Sequence, residues 1–262
     1  MLVMIAAGID IGHQSVNVVL LKDKAMLGQG TFVLAGAVET AATAAFEAAL
    51  KEHGLELSRI NRIFATGVGR EKVPFAHGHR TEMLCQVKGV HSLFPEARTV
   101  IDLGAEGSRI LRCDDQGNLT NFLLNDKCAS GAGIFLETVA GMVQLPISEI
   151  GPASLRSTQK LTLTSTCAVF AESEIVAEIH RGSAKEDILA AVHESIAAKV
   201  IAGSQRIGVE SALVLTGGVA LNQGLVETFR RQMGMEVKVP PLPEITGALG
   251  AAILAESSLG SA

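Results

Sequence analysis

V-M-I-A-A-G-I-D-I-G, the stretch from Val3 to Gly12, is an apolar run typical of a buried strand, and it ends in an Asp-x-Gly corner at Asp10. A second apolar run, from Val16 to Leu21, follows the corner and is predicted to return beside the first. The same order recurs from Thr99, where T-V-I-D-L-G ends in an Asp-x-Gly corner at Asp102 and a hairpin pattern follows. We therefore predict an α/β fold with two similar lobes, one corner in each lobe, and a cleft between them.

The two corners have the residue types that bind a phosphate and its metal ion. Main-chain N–H groups at a tight corner can surround a phosphate, and Asp10 and Asp102 carry carboxylates that can hold Mg²⁺ through water. A third stretch, Thr216-Gly217-Gly218 before a helix start near Asn222, offers bare backbone to the sugar or base of a nucleotide. The alternative is that all three are ordinary turns of an α/β protein. Their occurrence together, in this order, favours a nucleotide site.

Two further stretches each place one cysteine where the chain is predicted to enter a helix. They are N-D-K-C-A-S-G-A-G, which contains Cys128, and S-T-C-A-V-F-A-E, which contains Cys167. A thiol at a helix start faces unpaired N–H groups and the positive end of the helix dipole, which lowers its pKa and makes it a better metal ligand. Two cysteines cannot close a four-thiolate site, but two copies of the chain related by a two-fold axis can. The alternative, plain burial of a free thiol, is the interpretation for Cys85 and Cys113.

Composition bounds the class of protein. The 262 residues are 48% hydrophobic and 19% charged, which suits a globular chain with a sizeable core. A net charge of −5, with no basic run, argues against nucleic acid and anionic membranes as partners. The apolar start is too short to span a bilayer and lacks the pattern of a signal peptide, so a cytoplasmic location is expected. Four cysteines in such a chain are not expected to form a disulfide framework.

The spacing of apolar residues and the signals for helix starts predict the organisation of the remainder of the chain. Apolar spacing predicts helices from Val38 to His53 and from Thr81 to Phe94. Ser183 to Glu186 is interpreted as a capping box that opens a long helix, and Ile150 to Gln159 as a connection.

The chain is expected to divide into two lobes. Residues 1–98 form the first, which the C-terminal segment 242–262 completes, and residues 99–241 form the second, which carries both cysteine stretches.

With these motifs assembled, the sequence resembles the ATP-dependent activators of 2-hydroxyacyl-CoA dehydratases and the related ATPase subunits of benzoyl-CoA reductase. The resemblance runs along essentially the whole chain. It is most specific in N-D-K-C-A-S-G-A-G at Asn125–Gly133, S-T-C-A-V-F-A-E-S-E at Ser165–Glu174 and V-L-T-G-G-V-A-L-N at Val214–Asn222. It implies the acetate and sugar kinase/Hsp70/actin fold, in which two RNase H-like domains hold ATP in the cleft between them.

The resemblance also implies a cofactor, partners and site residues. It implies a homodimer bridged by one 4Fe-4S cluster. A reduced ferredoxin or flavodoxin supplies the electron to this cluster. ATP, bound with Mg²⁺ and hydrolysed to ADP, drives one electron to a partner iron–sulfur acyl-CoA dehydratase or reductase. The predicted catalytic residues are Asp10, Asp102 and Glu106; the predicted nucleotide contacts are Gly12, His13, Gln14, Gly104, Ala105, Gly217, Gly218 and Asn222; the predicted cluster ligands are Cys128 and Cys167.

Both phosphate loops depart from the family pattern. The first usually reads G-S-T and then a lysine, whereas this chain has Gly12-His13-Gln14 and then Asn17. The second usually reads D-x-G-G-Q-D, whereas here Ala105-Glu106-Gly107 follows Gly104. Glu106 either repels a γ-phosphate or acts as a base toward water, so hydrolysis is expected to be slow, altered or absent. Ile134 replaces a basic residue common after the first cysteine motif, a change that bears on partner docking.

Three other functions fit parts of the pattern. One is an ATPase subunit of a benzoyl-CoA reductase-like complex, in which the cluster bridges two different subunits of a pseudo-symmetric heterodimer. Another is a sugar or acetate kinase-like phosphotransferase, which needs no paired cysteines. A third is a nucleotide-binding regulatory module with impaired hydrolysis. The sequence identifies neither the acyl-CoA enzyme that is served nor the electron donor.

Overall fold

Two five-stranded mixed sheets organise the computed structural model, which describes residues 4–125, 133–163 and 167–259. Cys128 lies outside the described residues, as do Ser165 and Thr166. The strands are β1 (Ile5–Ile11), β2 (Ser15–Lys22), β3 (Ala25–Val33), β4 (Arg62–Gly67), β5 (Gly78–His79), β6 (Thr99–Leu103), β7 (Ser108–Cys113), β8 (Leu119–Asn125), β9 (Leu213–Thr216) and β10 (Val237–Lys238). The helices are α1 (Val38–Glu52), α2 (Glu82–Leu93), α3 (Gly133–Val143), α4 (Ile147–Ser154), α5 (Ala168–His180), α6 (Lys185–Ile207), α7 (Gln223–Met233) and α8 (Thr246–Leu259).

The two sheets repeat one topology. The first has the order β3-β2-β1-β4-β5 and the second the order β10-β9-β6-β7-β8. Strand β1 pairs antiparallel with β2 and parallel with β4, and β6 pairs antiparallel with β7 and parallel with β9. Each Asp-x-Gly corner therefore follows a strand inside its sheet, between a hairpin return and a parallel neighbour. The predicted α/β class and the repeat of strand, corner and hairpin are confirmed.

Both faces of β1, a central strand of the first sheet, are buried. Ile5, Ile9 and Ile11 alternate along β1 toward the core that α1 covers, while Ala6 points to the opposite face. On that opposite face the last helix, α8, packs closely: a methyl group added at Gly8 would lie 2.0 Å from the carbonyl oxygen of Ala248. The C-terminal helix is thereby held on the first sheet, although it follows the second sheet in the chain.

Helices α2 and α8 cross between the two sheets. Val87 and Val90 of α2 pack on the second sheet, and Ala248 and Ala252 of α8 pack on the first. At the crossing, a methyl group added at Gly250 would lie 1.7 Å from a backbone oxygen of α2, so the two backbones are in direct contact. The division of the chain into residues 1–98 with 242–262 and residues 99–241 stays a prediction, and the contact of α8 with the first sheet agrees with it.

Two expectations about local structure are wrong. Helix α6 begins after Ala184 without a side-chain cap, and the Ser183 hydroxyl instead donates to Glu178 Oε2 at 2.6 Å. The segment interpreted as a connection contains helix α4, even though Pro152 lies inside that helix. Its Ile150 is fully buried in the core of the second sheet, so tertiary packing outweighs the helix-breaking tendency of proline.

Among the described residues, no single helix is both long enough and apolar enough to cross a membrane. Helices α3 and α4 meet those criteria only when they are taken together, and an 82° bend separates them.

Candidate functional site

Each Asp-x-Gly corner is built together with a glycine from the neighbouring parallel strand. Gly67 ends β4 at φ 88°, and a methyl group added to it would lie 2.4 Å from Asp10 Oδ1. Gly217 follows β9 at φ 83°, and a methyl group added to it would lie 2.7 Å from Asp102 Oδ1. Positive φ and close approach both require glycine at these positions. The two aspartates thus lie in matching cradles, one in each sheet.

The two cradles open into one cleft of about 500 Å³. Glycine backbone and a few polar side chains converge in it, as is usual for a small-molecule site. The residues predicted from the sequence that line it are Asp10, Gly12, His13, Gln14, Asp102, Gly104, Ala105, Gly217, Gly218 and Asn222. The structure brings these residues together, and their individual roles stay predictions.

The floor of the cleft carries more carboxylates than cations. Arg109 pairs with Glu82 and, at 3.1 Å, with Asp102 Oδ2. Asp10 has no ion-pair partner among the described residues. The pKa of Asp10 is raised to about 7, chiefly by burial and next by the nearby charges of Glu82 and Asp102, which together outweigh the opposing charge of Arg109. A bound divalent cation would favour the charged form of Asp10, so the floor fits Mg²⁺ held largely through water.

Two side-chain contacts cross the mouth of the cleft. His13 Nε2, from the first corner, lies 3.0 Å from Glu106 Oε2 of the second corner. Gln14 Nε2 donates to Glu137 Oε2 of helix α3 at 2.9 Å. Glu106 is the one predicted nucleotide-site residue that does not line the cleft, because its half-exposed side chain is turned toward His13.

A buried relay holds the third predicted element, Asn222, in place. The side-chain oxygen Oδ1 of Asn222 accepts from the N–H of Leu225 and caps helix α7, so the side-chain amide nitrogen of Asn222 donates to His193 Nε2 at 3.0 Å. The proton of His193 is then on Nδ1, which donates to the Ser154 hydroxyl at 3.0 Å, and that hydroxyl donates to the Gly151 carbonyl at 2.7 Å. Burial lowers the pKa of His193 to about 4, which keeps the ring neutral.

Helix α3 is attached directly to the second corner. The N–H groups of Gly133 and Ile134 donate to the carbonyl oxygens of Gly104 and Ala105, each at 2.9 Å. The first N–H groups of a helix have no partner within the helix, so these bonds fix its start. The second corner is thus bonded directly to the start of α3, whose first residue, Gly133, is the last residue of the Cys128 motif.

The described cysteines separate into two kinds. Cys167 is exposed and is the N-cap residue of α5, so the predicted entry of the chain into a helix at this cysteine is confirmed. Next to it, Val169 and Phe170 are 66% and 67% exposed. Cys85 and Cys113 are buried, in agreement with their predicted structural role, and burial raises the pKa of Cys85 to about 12.

Of the two predicted cluster ligands, the structure describes Cys167, and its surroundings suit a ligand of a metal cluster. Cys167 is accessible at a helix start, where a thiol is a better metal ligand than in an apolar core. Within residues 4–125, 133–163 and 167–259, no group of three or more His, Cys, Asp or Glu side chains could hold a metal ion.

Comparison with known proteins gives the family. The model of the BadF/BadG/BcrA/BcrD ATPase family matches residues 7–255. The chain belongs to this family. The 2-hydroxyisocaproyl-CoA dehydratase activator of Clostridioides difficile is 37% identical to it over 252 residues, covering 96% of this chain and 95% of the activator. A benzoyl-CoA reductase subunit of Thauera aromatica is 33% identical over 263 residues, covering 95% and 92% of the two chains.

Solved structures give the fold of this BadF/BadG/BcrA/BcrD ATPase family member. An activator of the 2-hydroxyisocaproyl-CoA dehydratase from Clostridium difficile, solved with bound ADPNP, superposes with a TM-score of 0.93 at 36% identity, covering 99% and 98% of the two chains. A ROK hexokinase from Thermus thermophilus has a TM-score of 0.53 at 16% identity, covering 99% and 100%, and at that identity it shows the fold alone. The predicted sugar kinase/Hsp70/actin fold is confirmed.

Several residues of the site of this family member, in the cleft or against its aspartates, are not predicted from the sequence. Gly67 has a detectable signal, because it follows a predicted strand within T-G-V-G-R, just as Gly217 follows a strand. Glu82, Arg109 and Glu244 have none, because they reach the cleft from α2, from β7 and from the turn before α8. Only the fold brings them to the same place.

Proposed function

We propose that this chain is the ATP-dependent activator of a 2-hydroxyacyl-CoA dehydratase. It would take one low-potential electron from reduced ferredoxin or flavodoxin and pass it to a partner iron–sulfur dehydratase. Hydrolysis of ATP, in which water attacks ATP to give ADP and phosphate, would drive the transfer. The attachment of helix α3 to the second corner carries the proposal, because it links a nucleotide cleft to the element that follows the Cys128 motif.

The cleft supports nucleotide binding. Its two glycine-lined corners face each other, and the relative solved with ADPNP shares the fold over essentially the whole chain. In our proposal Asp10 and Asp102 hold Mg²⁺ through water, and the corner N–H groups at Gly12 and Gly104 bind phosphate oxygens. Asn222, oriented by His193, would contact the sugar or base. Glu106 is held by His13 in this structure, so it would need to leave that pair before acting on water.

The cysteine helices support a shared cluster. We propose that Cys128 and Cys167 of two copies hold one 4Fe-4S cluster on a two-fold axis. When bound, the cluster supplies a one-electron carrier whose potential responds to hydrogen bonding and solvent exposure. The exposed thiol of Cys167 and its exposed apolar neighbours Val169 and Phe170 suit burial against a second copy.

Iron content and native mass test this proposal. Protein purified without oxygen is expected to be a dimer with about four irons and four sulfides. Cys128→Ser and Cys167→Ser are each expected to lose the iron, whereas the matched controls Cys85→Ala and Cys113→Ala are expected to retain it. Full iron content in either of the first two variants would contradict the assignment of ligands.

Electron transfer is tested in a second assay. The dimer, reduced ferredoxin and ATP are mixed with an iron–sulfur 2-hydroxyacyl-CoA dehydratase, and dehydratase activity is followed after ATP is replaced by ADPNP. Activation is expected with ATP and not with ADPNP. Activation with neither nucleotide, in protein that holds its cluster, would refute the proposal.

A second candidate is favoured by the likeness to the benzoyl-CoA reductase subunit of Thauera aromatica. In that case the chain would pair with a different ATPase subunit across the cluster. A stable, iron-loaded homodimer would rule this out, whereas a colourless monomer that acquires iron only with a second, different chain would support it.

A further inference from the structure

One arginine is the main source of positive charge in the cleft. Among the described residues that line the cleft, Arg109 of β7 is the one lysine or arginine, whereas five lining residues carry carboxylates. These are Asp10, Glu82, Asp102, Glu137 and Glu244. The phosphates of a nucleotide would bring further negative charge into the same space. Because repulsion between like charges is strong where water is scarce, this arginine is the natural partner for a phosphate group.

Arg109 lies between the two Asp-x-Gly corners. It is the cross-strand partner of Asp102, so the two side chains share a face of the second sheet. A methyl group added at Gly104 of the second corner would lie 3.4 Å from Arg109 Nη1. The charge of Arg109 also acts on Asp10 in the first corner, where it opposes the rise in pKa that burial causes. A terminal phosphate that contacts both corners would therefore lie beside this guanidinium.

Two carboxylates hold the guanidinium of Arg109. Nη1 lies 3.1 Å from Asp102 Oδ2, and Nη2 pairs with Glu82, the first residue of α2. The arginine side chain is 20% exposed, and it reaches the cleft. A guanidinium carries several N–H donors in a planar fork. It can therefore keep one carboxylate on one edge while it binds phosphate oxygens with another.

Asp102 cannot serve Arg109 and a metal ion equally well. In the proposed function Asp102 holds Mg²⁺ through water, and the same carboxylate is in contact with Arg109. Mg²⁺ and the guanidinium repel each other, and both favour carboxylate oxygens. Binding of a Mg·nucleotide would therefore weaken the contact between Arg109 and Asp102 and supply phosphate oxygens to the released N–H groups. Glu82 would keep the guanidinium in the cleft during this exchange.

We propose that Arg109 binds the terminal phosphate of a nucleoside triphosphate and leaves Asp102 to do so. The inference rests on the proposed nucleotide binding and adds the residue that distinguishes ATP from ADP. The number of charge-assisted contacts is conserved, because the phosphate replaces Asp102 at Arg109 and hydrated Mg²⁺ replaces Arg109 at Asp102. ADP lacks the terminal phosphate, so Arg109 gains no new partner when ADP binds.

Calorimetric titration of Mg·ADPNP and Mg·ADP into protein purified without oxygen tests this assignment. In Arg109→Met, Mg·ADPNP affinity is expected to fall by about tenfold or more, the usual effect of losing one charge-assisted contact, and Mg·ADP affinity by less than about threefold. Arg109→Lys keeps the charge and loses the fork, so its Mg·ADPNP affinity is expected to lie between these limits. The matched control is Arg112→Met, on the same strand but outside the cleft, where Arg112 pairs with Glu210; wild-type affinities are expected.

A charge-matched double variant separates direct contact from general charge balance. Arg109→Met combined with Glu82→Gln removes one positive and one negative charge, so the net charge of the cleft equals that of the wild type. Direct contact with the phosphate predicts that Mg·ADPNP binding stays weak, whereas charge balance alone predicts wild-type affinity. The double variant also lacks the unpaired Glu82 carboxylate, so it carries the test if Arg109→Met does not fold.

The outcomes separate this inference from the proposed function. Selective loss of Mg·ADPNP affinity in both Arg109→Met and the double variant would support the inference. An equal change for the two nucleotides in Arg109→Met, or wild-type Mg·ADPNP affinity in the double variant, would overturn it and leave nucleotide binding intact. Failure of the wild type to bind either nucleotide would refute the proposed function together with the inference.

Discussion

Replacing His193 by glutamine is expected to remove a pH-dependent part of the stability of this protein. The ring is fully buried between Asn222 and Ser154, and burial lowers its pKa to about 4 from an ordinary value near 6.5. The unfolded chain therefore binds a proton in this interval and the folded chain does not. The stabilisation is complete above about pH 6.5 and is lost as the pH falls toward 4.

The size of the effect follows from the shift. A difference of about 2.5 pKa units corresponds to roughly 3 kcal/mol in full, of which about 2 kcal/mol is lost between pH 7 and pH 5. Glutamine does not titrate, and its side-chain oxygen can still accept from the Asn222 amide. It lacks the ring N–H that donates to Ser154, so the variant is expected to lose about 1–3 kcal/mol in free energy of unfolding near neutral pH. The gap in free energy of unfolding between wild type and His193→Gln should thus shrink by about 2 kcal/mol from pH 7 to pH 5.

Urea unfolding at pH 5, 6 and 7, without nucleotide or Mg²⁺, measures this gap. Comparing variant with wild type is necessary because Asp10 acts in the opposite sense: its raised pKa makes stability fall as the pH rises from about 4 to 7. The exposed His180→Gln is the matched control and should follow the wild-type profile. A gap that is the same at all three pH values would refute the buried, neutral relay.

Three further predictions test the cleft and the helix crossing. Gly217→Ala forces a side chain into positive φ beside Asp102, so a loss of about 1–3 kcal/mol in unfolding free energy and weaker Mg·ADP binding are expected, by urea melts and calorimetry. Gly250→Val must separate α8 from α2, so the free energy of unfolding is expected to fall by about 3 kcal/mol or more, or the variant fails to fold. Thermal melts measure this effect, and an unchanged melting temperature would contradict the close crossing. Glu106→Gln removes an exposed pair with His13, so stability should change by less than about 1 kcal/mol, while the ATP hydrolysis rate should change; an unchanged rate would exclude a role for Glu106 in hydrolysis.

Local patterns in the sequence predict the elements of this fold well. The apolar runs before Asp10 and Asp102 mark central strands, because a strand buried on both faces has to be continuously apolar. Helix α4 was missed because proline and the turn-forming residues around it suppress a local helix signal, while the burial of Ile150 that stabilises it depends on distant residues.

The candidate site is less predictable than the fold for the same reason. The Asp-x-Gly corners repeat in the sequence and could be found there, but the glycine that faces each aspartate comes from another strand. Glu244 is separated from Asp10 by most of the chain. Segment 242–262 is expected from the sequence to complete the first lobe, but that expectation does not say which of its side chains lines the cleft. Contacts between distant residues were therefore available only from the structure.

The contacts across the cleft mouth indicate how the altered first loop still allows nucleotide to enter. His13 and Gln14 reach Glu106 and Glu137 across the opening. The His13–Glu106 pair is about one-third to one-half exposed, and such pairs typically contribute no more than about 1 kcal/mol. Nucleotide binding energies in the micromolar range are about eightfold larger, so these contacts bias the cleft toward closure without blocking it. Because Glu137 lies on α3, and the start of α3 is bonded to the second corner, both corners contact the same helix. A change in the distance between the corners would therefore move the start of α3, which is the coupling that the proposed function requires.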